Sequence, residues 1–200
     1  MKYNVYTLYI ILGGNIIINI YTGPMFSGKS TRLIQEYNKF YNKENILVLK
    51  PVKDTRTKSK IRARGLDIDI TALSIKDLSE ILDIIKLDKY KNNRVIFIDE
   101  AQFLTGDVSI ISRLSLNGYD FHIAGLNQTS EQTPFGIMPN LMAIADNIEL
   151  IKAKCKICNK DAQYTYCLVH KDNEILVGSN EYIPICTECL RKEKLNELNK

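Results

Sequence analysis

The sequence predicts an α/β fold, a parallel sheet with helices on both faces, followed by a small C-terminal unit built around cysteines. Three observations predict it. Short, nearly all-apolar runs alternate with segments of helical spacing, the pattern of strands covered on both sides. One run leads straight into Gly23-Pro24-Met25-Phe26-Ser27-Gly28-Lys29-Ser30, which fits G-x-x-x-x-G-K-[ST]. Beyond about residue 150 the composition turns to Cys, Lys, Asn and Tyr, and four of the five cysteines fall in two Cys-x-x-Cys pairs.

The elements follow in order. Residues 16–21 are β-branched and end at a Gly-Pro turn, so they read as a buried strand. Residues 30–41 place Leu33, Ile34, Tyr37 and Phe40 near one helix face. Residues 46–49 form a second strand, stopped near Pro51, and the polar, basic stretch 53–65 reads as a loop or flap. Residues 75–85 have helical spacing, with Ser74 as the expected cap. A strand over 95–98 ends in Asp99-Glu100, a helix covers 108–116, and 121–124 is the next strand. Ligands of such sheets bind beyond the carboxyl ends of the strands. The segments 23–30, 53–56, 99–103 and 125–127 all follow strands and are therefore expected to converge on one site. The division expected is an extension over 1–15, a nucleotide-binding domain over 16–150, a metal-binding unit over 151–192 and a tail over 193–200.

Composition narrows the function. The formal net charge of +4 is spread over intermixed acidic and basic residues, so no basic stripe suits a nucleic-acid duplex. The apolar stretch from Val5 to Tyr21 is interrupted by Gly13, Gly14, Asn15 and Asn19, and its second half is needed as a core strand. Neither export nor a membrane span is expected, and the protein is placed in the cytoplasm.

The chemistry sits in three places. In the Gly23–Ser30 loop, backbone N–H groups wrap phosphates, Lys29 reaches the β- and γ-phosphates, and the Ser30 hydroxyl ligates Mg²⁺. This makes the sheet P-loop NTPase-like and calls for ATP and Mg²⁺. Asp99 closes a strand where a carboxylate holds Mg²⁺, and Glu100 beside it is suited to polarise a nucleophile. Cys155, Cys158, Cys186 and Cys189 supply the four thiolates of a closed, structural Zn²⁺ site. Cys167-x-x-His170 is a competing ligand pair. His122, inside a strand, reads as a buried histidine with no role.

Taken together, the phosphate loop, Asp54-Thr-Arg56, Asp99-Glu-Ala-Gln-Phe103, Gly125-Leu126, Pro134-Phe135-Gly136 and the cysteine pairs resemble the type II thymidine kinase family, in order, over almost the whole chain. The resemblance implies transfer of the ATP γ-phosphoryl group to the 5′-hydroxyl of thymidine, and often of deoxyuridine. It implies Glu100 as general base, with Asp54, Arg56 and Gln102 joining the phosphate loop and Asp99 on the ATP and Mg²⁺ side. Met25, Phe103, Leu126 and Phe135 match positions lining or supporting the thymine pocket. Thr165, Val177, Gly178 and Tyr182 match a zinc-anchored lasso that closes over the base, and the family implies a homotetramer. One position departs from the family: Ser130 stands where a Phe usually stacks on the base. Another aromatic in its place, a different deoxynucleoside substrate, and an impaired enzyme are the three readings of that change. Two rivals to the kinase remain at this level, a nucleic-acid-dependent ATPase and a zinc-ribbon module with a vestigial phosphate loop.

Overall fold

The computed structural model describes residues 17–40, 43–55, 59–62, 68–169 and 181–198. The extension expected over 1–15 lies outside these residues, as do Arg56, His170, Val177 and Gly178.

Six strands form one parallel sheet: β1 (Ile18–Thr22), β2 (Ile46–Pro51), β5 (Leu73–Ile75), β6 (Val95–Ile98), β7 (Asp120–Gly125) and β8 (Asn147–Leu150). Their spatial order is β5-β2-β6-β7-β1-β8, and every neighbouring pair is parallel. Alternation along the strands divides the core in two. Leu47, Leu49, Ile96, Ile98, Phe121 and Ile123 face Ile81 of α2 (Glu80–Ile84), Ile110, Ile111 and Leu114 of α3 (Ser109–Leu116), and Leu141 of α4 (Met138–Ala143). On the opposite face Tyr21, Val48, Val95 and Phe97 pack on Leu33 and Ile34 of α1 (Lys29–Lys39). Helices therefore cover both faces, as expected.

At four places the structure departs from the expectations or adds to them. The segment expected as a helix over 75–85 begins as β5, and only Glu80–Ile84 is helical. Ser79, not Ser74, precedes the helix, and Asp77 braces the turn before it: the Ser79 N–H donates to Asp77 Oδ1 at 2.9 Å, and Glu80 Oε1 accepts the Asp77 N–H at 2.9 Å. These two bonds fold the turn that leads into the helix. Second, the loop expected over 53–65 contains β3 (Lys60–Arg62), antiparallel to β4 (Asp69–Thr71). Its buried Ile61 and Ile70 complete the core face shared with α1. Third, α4 and β8 carried no expectation. All four β8 side chains are exposed, so the apolar alternation that announces a strand is missing. Fourth, the tail expected over 193–200 is helical as far as Leu198.

The C-terminal unit pairs β9 (Ala153–Lys154) with β10 (Asp161–Ala162), and β11 (Tyr164–Cys167) with β12 (Tyr182–Ile185). It ends in α5 (Thr187–Leu198). The Tyr166 hydroxyl donates to Glu197 Oε1 at 2.6 Å, which holds the end of α5 on β11. Among the described residues no helix is long and apolar enough to cross a membrane.

Candidate active site

Parallel order puts the carboxyl ends of β1, β2, β6 and β7 on one edge of the sheet, and the expected loops meet there. The phosphate loop leaves β1 at Gly23, whose φ is +145°. A Cβ at Gly23 would lie 2.0 Å from the Ile151 carbonyl oxygen, so only glycine fits. Pro24 O accepts from the buried Lys29 ammonium at 2.7 Å. Phe26 takes a left-handed φ of 66° and is exposed, and Gly28, at φ 90°, opens α1. The loop thus curls around its own lysine. The Ser27 Oγ is buried without a hydrogen-bond partner and lies 3.2 Å from where a Cβ on Gly23 would stand.

The acidic motif meets this loop directly. The Ser30 Oγ donates to Asp99 Oδ1 at 3.2 Å, and the same oxygen accepts the Glu100 N–H at 3.0 Å. A hydroxyl and a buried carboxylate side by side form a donor set suited to a hydrated Mg²⁺. Glu100 is held at φ 54°, ψ 37°, a left-handed conformation that costs roughly 1–2 kcal/mol for a non-glycine residue. Strain of this kind concentrates at functional sites. Gln102 supports it: its Nε2 donates to Glu100 Oε2 at 2.6 Å, and its Oε1 accepts the Leu126 N–H at 3.0 Å. Gln102, expected on the ATP side, is a buried brace between the carboxylate and the end of β7. Its surroundings are tight. A Cβ at Gly125 would meet Met138 Sδ at 2.5 Å, and one at Gly136 would meet Gln102 O at 2.1 Å.

Next to this brace the Phe103 and Phe135 rings pack edge to face, 5.4 Å apart, with the Lys53 ammonium 5.9 Å from the Phe103 centroid. Asp54 is buried, with Oδ2 3.0 Å from the Lys50 ammonium. Lys50 carried no expectation, although a lysine closing an otherwise apolar strand is its signal in the sequence. From the C-terminal unit, Thr165 Oγ1 accepts the Met25 N–H at 2.9 Å, so β11 is tied to the phosphate loop itself. Tyr182 lies opposite Cys167 in the β11–β12 pair. Ser130 sits in a tight turn closed by Thr129 N–H to Thr133 O at 2.9 Å, and its carbonyl accepts from Gln132 Nε2.

The four cysteines of the two pairs gather, with all Sγ atoms within 4.8 Å of one another. Cys158 Sγ lies 3.5 Å from Cys186 Sγ, close to the about 3.8 Å edge of a tetrahedron with 2.3 Å Zn–S bonds. Burial opposes ionisation of Cys155, but N–H groups of Cys158, Cys186 and Ile157 outweigh it and lower its thiol to about 6. Cys189 is pushed up to about 12, by burial first and then by the neighbouring thiols. Such a cluster ionises fully only around a cation. Cys167 is not part of it; its thiol turns to Val169 O at 3.2 Å. His122 is buried against Phe97, with ring centroids 4.6 Å apart, and its Nδ1 lies 3.1 Å from the Tyr21 hydroxyl.

This architecture has relatives. A thymidine kinase from Mycoplasma genitalium is 35% identical over 164 residues, covering 80% of this chain and 75% of that one. One from Mesomycoplasma hyopneumoniae is 34% identical over 177 residues, covering 86% of this chain and 94% of that one. The family profile described as "Thymidine kinase" matches residues 16–190, which takes in the phosphate loop, the acidic pair and all four clustered cysteines. The chain belongs to the thymidine kinase family.

Proposed function

We propose that this protein transfers the γ-phosphoryl group of ATP to the 5′-hydroxyl of thymidine. The observation that carries the reading is the 3.2 Å hydrogen bond from Ser30 to Asp99, which sets the phosphate loop and the acidic pair against each other across one site. Lys29 and the loop N–H groups hold the phosphates, and the amino end of α1 points at the same oxygens. Ser30 and Asp99 hold Mg²⁺, whose charge offsets that of the phosphates when bound. Glu100, aimed by Gln102, takes the proton of the attacking hydroxyl. Phe103, Leu126 and Phe135 form the apolar wall for the base, and Thr165 and Tyr182 place the C-terminal unit over it. Arg56, Val177 and Gly178 complete the set by family resemblance. The four thiolates hold a structural Zn²⁺, which requires reduced cysteines and suits the cytoplasm. A homotetramer rests on the resemblance alone.

Mg²⁺-ATP with thymidine or with single-stranded DNA tests the reading. Thymidine-dependent ADP release supports it, and release that depends on DNA would replace the kinase with a motor. Ser130→Phe should lower the thymidine KM, because an aromatic–base stack contributes about 1–3 kcal/mol. An unchanged or raised KM would mean that another group already fills the space.

A further inference from the structure

Strand β2 breaks its own pattern. Alternation puts Lys50 on the same face as Ile46 and Val48, the face covered by α1 and by Ile61 and Ile70 of the β3–β4 hairpin. Its neighbours on that face are core residues, yet here a lysine is buried to 1% exposure. Lysines are almost never buried this far unless paired. The Lys50 ammonium lies 3.0 Å from Asp54 Oδ2 and donates to the Lys60 carbonyl of β3 at 3.3 Å. The chain between strand and carboxylate is short and held at both ends: the Val52 N–H donates to Ile75 O at 2.9 Å, and the Asp54 N–H to Pro51 O at 3.0 Å. Lys50 thus joins the end of a site strand, the turn after it and the hairpin beyond.

A buried ion pair is a poor source of stability, since apolar residues of similar volume are often as good or better. Its place explains it better: the pair sits at the carboxyl end of β2, on the edge where Lys29, Asp99 and Glu100 meet. We infer that Lys50 is a positioning residue for phosphoryl transfer, fixing the Asp54 carboxylate and the hairpin so that the loop after β2 meets the nucleotide in one geometry. This deepens the kinase reading and rests on it.

The test compares Lys50→Met, Asp54→Asn and the double variant with wild type, as zinc-loaded full-length protein assayed for thymidine-dependent ADP release. Lys50→Met should lower kcat about 10–100-fold, as misplacement of an active-site group does, with the thymidine KM nearly unchanged. Lys50→Arg should recover part of that loss. The double variant should be no slower than Asp54→Asn alone, because Lys50 acts through Asp54. Wild-type kcat in Lys50→Met, or losses that multiply in the double variant, would overturn the inference. If Lys50→Met does not fold, the double variant, which removes both charges of the pair, carries the comparison with Asp54→Asn. Absence of thymidine-dependent turnover in the wild type would instead sink the kinase reading.

Discussion

The sheet and the C-terminal unit solve one problem, the exact placing of polar groups, by different means. In the sheet, apolar residues on two faces fix the strands, and the polar residues ride at their ends. Among the described residues the cluster of the C-terminal unit has eight buried members, and three of them are the cysteines Cys155, Cys186 and Cys189. A core that small stabilises little by burial, and metal–thiolate bonds at the four-cysteine cluster would supply what area does not. The sheet should therefore tolerate loss of metal, and the C-terminal unit should not.

The largest effect expected falls on the sheet side alone. Glu100→Gln should reduce turnover about 10²–10⁴-fold while ATP binding, followed by calorimetry, and zinc content persist. Near-normal turnover would remove Glu100 from the proton transfer. On the other side, Cys186→Ser should lose bound zinc by metal analysis and raise the thymidine KM, with ATP affinity kept. Retention of full zinc by this variant would mean that the four-thiolate cluster is not the metal site.

The sheet core also carries a pH dependence. Burial lowers the His122 pKa to about 4 from an ordinary 6.5, so the imidazole is neutral when folded and the unfolded chain takes up its proton first. Its share of stability is complete above about pH 6.5 and is lost as the pH falls from there towards 4, reaching about 3 kcal/mol. Urea midpoints between pH 7 and 4.5 should fall more steeply for wild type than for His122→Phe. Equal slopes would show that His122 does not titrate this way. The smallest effect tests the joint between the units. Thr165→Val removes the acceptor for the Met25 N–H and should weaken nucleoside binding by about 1 kcal/mol. A KM equal to wild type would mean that the tie does not position the C-terminal unit.

How much of this was legible in the sequence depended on whether a signal was local. The run into Gly23, the strand ending at Asp99 and the cysteine spacing each carry their meaning within a few residues, and they appear where expected. The helix expected from Ser74 failed because Leu73–Ile75 joins the sheet edge beside β2, a tertiary choice that overrides periodicity. Strand β8 was silent because its side chains face outward and only its backbone pairs with β1. The brace that Gln102 forms is silent in the sequence, since its bond to Leu126 spans 24 positions. The local signal of Lys50 is ambiguous, because a charge at a strand end reads as solvated unless a hairpin covers it, as β3 and β4 do here.

Ile151 stands where the composition suggests a seam. Its N–H donates to Thr22 O at 2.7 Å, and its own carbonyl fills the space behind Gly23. A cut after residue 150 would deprive β1 of that donor and leave a hollow beneath the first residue of the phosphate loop. The seam between the two units is therefore shared: one residue of it both closes the edge of β1 and backs the phosphate loop.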